Sequence, residues 1–176
     1  MLRREHGADW MIIPVISFVG LVVGKIISYY TKDEYEQGLM YFKFLEKIII
    51  ALLIVVLLFS RVSLILFLYI LIGIFVGVFV REIYLFLSLS LVSSLMLGNN
   101  LILVVSVLIF FFGINNATIN RINVKRIILN GIIFFIPFLF LLTKSFINTN
   151  LSVFLGITIG GLLAQLGRAP EKFKLW

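Results

Sequence analysis

From Ile83 to Asn120 the chain runs for 38 residues without a charged side chain, and from Ile48 to Val80 only Arg61 interrupts a second such stretch. Backbone N–H and C=O groups in hydrocarbon must be paired within the protein, which leaves helices and closed barrels as the available solutions. Barrel strands alternate apolar and polar residues over about ten positions. Ile48 to Ser60, Val62 to Val80 and Ser145 to Gly167 carry no charge and no such alternation, so they read as helices.

The rest of the composition agrees. Residues of the apolar set make up 62% of the chain, charged residues 13%, and mean hydropathy is +1.19. A water-soluble domain averages about half apolar and about a quarter charged residues, so the excess is expected to face lipid. The expected fold class is all-α: a polytopic transmembrane helix bundle forming a single domain over 1–176, with no soluble part.

Each crossing takes about 20 residues at ~1.5 Å rise per residue, so about seven fit. Trp10 and the Tyr29-Tyr30 pair bracket the first apolar stretch, as interfacial aromatics do. Arg3 and Arg4 precede it but are offset by Glu5 and Asp9, and no small-x-small cleavage site follows, so it reads as a crossing and not as a removed leader. A helix over the whole of 48–80 would be about 50 Å long, which requires a turn at Ser60-Arg61-Val62-Ser63. Gly98-Asn99-Asn100 is a second turn signal, and Pro137 is expected to bend the sixth helix. The predicted helices are 11–30, 40–60, 62–80, 83–97, 101–118, 127–143 and 151–167. If 83–114 re-enters instead of spanning, five or six full crossings remain.

Seven crossings put Arg3, Arg4, Arg61 and Lys144 on one side. Lys32, Lys43, Lys47, Arg81, Arg121, Lys125, Arg126, Arg168, Lys172 and Lys174 fall on the other, with Lys25 inside a helix. Basic residues stay cytoplasmic, which predicts the N-terminus outside and the C-terminus inside.

The sequence is poor in chemistry. It has no cysteine, and its one histidine, His6, lies in the N-terminal tail, away from any base–nucleophile pairing. Its eight acids, Glu5, Asp9, Asp33, Glu34, Glu36, Glu46, Glu82 and Glu171, all fall in connections, tails or helix ends. A proton- or cation-coupled pump would place an acid or histidine at mid-membrane. Asp33-Glu34-x-Glu36 matches no cation-loop spacing and reads as a solvated loop beside Lys32. Asn116-Ala-Thr and Asn150-Leu-Ser match the glycosylation pattern, but the first is predicted cytoplasmic and the second lies against a helix. No Gly-rich phosphate loop, zinc spacing or nucleic-acid motif appears. No catalytic residue, cofactor, metal or nucleic-acid partner is therefore expected.

Three features carry the functional expectations. Gly20-x-x-x-Gly24, Gly73-x-x-x-Gly77 and Gly156-x-x-x-Gly160 place small residues on one face of three helices, where backbones approach closely. They suggest packing within the chain first and a partner subunit second; with the missing chemistry and the short connections, they point to a non-enzymatic subunit or scaffold of a membrane assembly, whose partners are lipids and other membrane subunits or a second copy. The alternative is a small-solute transporter or channel in which Asn99 and Asn100, with Ser93, Ser94 and Lys25, line the path, since short interrupted helices often mark transport sites. A remoter alternative is lipid-headgroup chemistry at the cytoplasmic face, using Arg81, Glu82, Arg121, Lys125 and Arg126, where anionic lipid would gather.

Overall fold

The computed structural model describes residues 9–31, 35–61, 63–120, 123–143 and 150–168. Among them it contains seven α-helices and one 3-10 segment, and no strand. The helices are α1 (Asp9–Tyr30), α2 (Tyr35–Ser60), α3 (Leu64–Phe79), α4 (Ile83–Leu97), α5 (Asn99–Asn120), α6 (Val124–Phe135) and α7 (Leu151–Leu166). Asp33 and Glu34, Arg121, Lys144 with its connection, and the terminal residues carrying Arg3, Arg4, His6, Lys172 and Lys174 lie outside the described residues.

Local chemistry sets several boundaries. Ser63 is extended and its hydroxyl accepts from the Leu66 N–H, capping α3. Asn123 caps α6 in the same way, accepting from the Arg126 N–H at 2.9 Å. Gly98 separates α4 from α5 with φ 141° and ψ 161°, a conformation open only to glycine. That lets α5 begin at the very next residue, two residues ahead of the predicted 101. The predicted sixth helix over 127–143 is instead α6 followed by a 3-10 segment, Ile136–Thr143, with Pro137 as its second residue. Proline has no N–H to bond four residues back and its ring crowds that carbonyl, so the chain tightens instead of continuing as α-helix.

The glycine motifs set the packing. A Cβ on Gly20 would collide with the Phe110 backbone, and one on Gly24 with that of Ile114. Both contacts advance four residues in the same direction, so α1 and α5 run parallel. Gly73 faces Gly156 and Ile157, and Gly77 faces Gly161 and Ala164, which makes α3 and α7 parallel as well. A Cβ on Gly73 would lie 2.7 Å from the Gly156 oxygen, and one on Gly77 2.8 Å from the Gly161 Cα. Gly161 turns to the other side of α7 and receives the Phe86 ring of α4. The small-residue faces are thus occupied within the chain.

Helix α4 is central. It packs against α2, α5, α6, the 3-10 segment and α7, and Phe86, Leu87, Ser88, Ser90, Leu91, Val92, Ser93 and Ser94 are all fully buried. Two of its four interior serine hydroxyls bond to their own helix, Ser90 donating to the Leu87 carbonyl at 2.6 Å and Ser94 to that of Leu91 at 2.8 Å, while those of Ser88 and Ser93 have no partner among the described residues. The outer surface has the opposite character. Phe59 is 85% exposed, Leu64 84% and Phe79 70%, and apolar side chains of α1, α5 and α6 also point outward. Ile12–Tyr30 and Asn100–Asn120 are the two stretches, among the described residues, long and apolar enough to cross a membrane.

Gly160 meets the Ile70 and Ile74 backbones. Gly160→Val is expected to lower the thermal midpoint in detergent, costing at least about 1–3 kcal/mol. Gly167→Ala, whose Cβ would have its nearest neighbour at an ordinary 3.6 Å, should leave the midpoint unchanged.

Candidate functional site

The polar residues concentrate at one end of the bundle, where α1, α3, α5 and α7 finish and α4 and α6 start. The last turns of α5 carry Asn115-Asn116-Ala117-Thr118, all buried. Interior amides at a helix end need partners, since an unpaired buried polar group costs about 1–3 kcal/mol. Neighbouring helices meet most of that need. The Asn115 amide donates to the Phe42 carbonyl of α2. The Thr118 hydroxyl donates to the Ile114 carbonyl at 2.8 Å and lies 3.3 Å from that of Gly24 in α1.

Asn116 is the junction. Its carboxamide oxygen accepts from the Tyr84 hydroxyl at 3.1 Å, and its nitrogen donates to Glu46 Oε1 at 2.8 Å. A phenol can donate and a carboxylate accept, so the two partners dictate which way the amide points. Three helices, α2, α4 and α5, are joined through one side chain. Asn120 donates to the Asn116 backbone carbonyl at 3.1 Å, continuing the polar surface to the helix end. With both amide ends bonded and the residue buried, Asn116 is not presented as a glycan acceptor.

Beside this junction an open cavity of about 130 Å³ is lined by Tyr84 and Asn116 together with Arg81, Glu82, Arg126 and Asn130. The α3–α4 connection delivers Arg81 and Glu82, and the first two turns of α6 deliver Arg126 and Asn130. Asn130 is 3% exposed. Three of the five residues from the headgroup reading, Arg81, Glu82 and Arg126, therefore meet in space, while Lys125 is exposed and does not line the cavity.

The residues expected to line a transport path are not brought together. Ser93 and Ser94 are fully buried in α4, and the Ser93 oxygen has neither solvent access nor a partner among the described residues. Asn100 is exposed at the start of α5, and the Asn99 side chain lies outside the described residues. Lys25 is half-buried beside Gly24, which packs against Ile114 near the far end of α5. The rise from Asn100 to Ile114 separates it from Asn100 by roughly 20 Å.

Tyr84, Asn116 and Asn130 were not legible as a site in the sequence. The available signal was that asparagine is costly inside an apolar helix, so Asn116 and Asn130 each needed a partner or a cavity.

No protein-family model, no curated protein and no solved structure matches this chain.

Asn116→Leu is expected to leave the buried Tyr84 hydroxyl without its acceptor and to take the amide donor from Glu46, which keeps Lys43 and Lys47 nearby, destabilising the protein by about 1–3 kcal/mol for the orphaned hydroxyl. In a double-mutant cycle read by thermal unfolding in detergent, Tyr84→Phe should cost clearly less in the Asn116→Leu background than alone.

Proposed function

We propose that this chain is a multi-pass integral membrane protein with the N-terminus outside and the C-terminus in the cytoplasm. In this reading it acts as a non-enzymatic subunit or scaffold of a membrane assembly. The observation that carries the membrane assignment is the inversion of polarity between surface and interior. Ser17, Ser28, Ser90, Ser94, Asn115, Asn116, Thr118 and Asn130 are buried, whereas Ile16, Phe44, Phe59, Leu68, Phe75, Val104 and Ile132 face outward. Water would penalise that arrangement at about 25 cal/mol per Å² of exposed apolar surface, while lipid removes the penalty.

Length is compatible with the reading even for the shorter helices. α3, α4 and α7 have 16, 15 and 16 residues, or about 22–24 Å, and short spans are accommodated by local thinning and by snorkelling flanks. The orientation is supported by the company kept at one end of the bundle. Arg81 and Arg126 line the cavity there, Arg168 reaches the Gly77 and Val78 carbonyls, and Lys43 and Lys47 flank Glu46. Arg61 lies in the α2–α3 turn at the other end.

The subunit reading draws on the short connections and on the outward apolar faces of α2 and α3. The glycine faces are occupied internally, so a partner would meet larger side chains such as Phe67, Leu71 and Phe75. The gathering of Arg81, Glu82 and Arg126 favours a second role at the headgroup level, which the cavity makes specific.

The cysteine-free sequence makes the topology directly testable. In intact cells, Asn99→Cys and Asn148→Cys should react with a membrane-impermeant maleimide and Glu34→Cys should not; labelling of Glu34→Cys, or protection of Asn99→Cys, overturns the seven-crossing topology. The subunit role predicts co-purification with a partner in mild detergent, and recovery as a stable, monodisperse monomer would count against it.

A further inference from the structure

The two arginines of the cavity differ from the third described arginine at that end of the bundle. Arg168, at the same end of the bundle, is fully occupied: it donates to Gln165 Oε1, to the Gly77 carbonyl and to the Val78 carbonyl, each at 2.9 Å. Arg81 and Arg126 line the cavity instead, and among the described residues neither guanidinium has an ion-pair or hydrogen-bond partner. Guanidinium groups present a planar fork of donors suited to carboxylate and phosphate oxygens.

Two further groups face the same space. Glu82 occupies the N-cap position of α4 but its side chain makes no capping bond, so the positive end of that 15-residue helix stays open where Glu82, Ile83 and Tyr84 border the cavity. Asn130, a buried residue, has no side-chain hydrogen bond among the described residues. Its neighbour Asn116 is held by Tyr84 and Glu46. A carboxamide on a buried residue that lines a polar cavity and has no protein partner is free to bond a ligand or water held there.

The geometry points to a binding site for a phosphate-type oxyanion, held by the Arg81 and Arg126 guanidiniums, the Asn130 amide and the uncapped start of α4. Of the charged residues in the lining, two are cationic and one, Glu82, is anionic, so a bound phosphate monoanion brings the site to neutrality. Asn116, already oriented by Tyr84 and Glu46, also lines the cavity. The volume of about 130 Å³ accommodates a tetrahedral oxyanion with accompanying water. A lipid headgroup and free phosphate share this chemistry; the headgroup source rests on the proposed membrane assignment, the free-phosphate source does not.

The test is isothermal titration of the full chain in an uncharged maltoside detergent. The probes are inorganic phosphate, dihexanoyl phosphatidic acid and, as a zwitterionic reference, dihexanoyl phosphatidylcholine. One saturable site per chain is expected for phosphatidic acid, for inorganic phosphate, or for both. Arg81→Gln and Arg126→Gln should each weaken it about tenfold, while Lys125→Gln, exposed and outside the cavity, should not change it. Both arginines are exposed, so these variants are expected to fold, with the unchanged thermal midpoint as the check. Glu82→Gln should strengthen binding by removing the one opposing charge. Saturation by phosphatidic acid alone identifies a lipid headgroup as the source, and equal saturation by inorganic phosphate identifies the free ion. Absence of a saturable site for both anions, or equal weakening by Lys125→Gln and Arg126→Gln, overturns the proposal. Because maleimide labelling reads the topology independently, loss of the oxyanion site and loss of the membrane assignment are distinguishable.

Discussion

Where Gly73 and Gly77 of α3 meet Gly156, Gly160 and Gly161 of α7, there is no room for one added carbon on either helix. Gly20 and Gly24 of α1 pack against the α5 backbone under the same restriction. In the proposed lipid setting, helices would gain little from hydrophobic burial against one another, and close van der Waals contact between backbones would take over as the associating force. These two parallel pairs form the frame. Gly161 extends it by accepting the Phe86 ring, which seats α4 in the middle and positions its first residue beside the ends of α5 and α6.

Seating α4 at the centre has an electrostatic consequence. A helix buried on nearly all sides cannot satisfy its terminal N–H groups with bulk water along its length, only at the end that opens outward. That end begins at Ile83, flanked by Arg81 and Glu82, and it opens onto the cavity shared with Arg126 and Asn130. The Tyr84–Asn116–Glu46 chain ties the same end to α5 and α2. Packing of small residues deep in the bundle and the arrangement of donors at its end are therefore coupled: shifting α4 along its axis would move both Phe86 out of the Gly161 notch and Tyr84 away from Asn116.

The proposed oxyanion site and the proposed subunit role are compatible. A scaffold whose outward surface is apolar and which carries a polar cavity among basic residues would be held in register by headgroup phosphates at that level. Charge at the bundle end serves topology in this reading, and the cavity adds a position at which part of that charge acts on a single ligand.

Helical class, the turn at Gly98, the crowding role of the glycine motifs and the outward apolar surface were legible in the sequence. Each depends on residues close in the chain: long uncharged runs, a turn triplet, glycines four apart. Most described helix ends lie within about three residues of those expected, but α2 starts at Tyr35 and not at 40, and at Pro137 loss of one backbone donor changed the helix type over Ile136–Thr143. Which glycine face meets which helix, the central place of α4 and the meeting of Arg81 with Arg126 and Asn130 were decided only by the tertiary structure. Those residues lie up to 49 positions apart, and no local spacing encodes a junction made by Tyr84, Asn116 and Glu46 on three separate helices. Sequence periodicity reports what one helix wants to bury; the partner it buries against is chosen by the simultaneous packing of all of them.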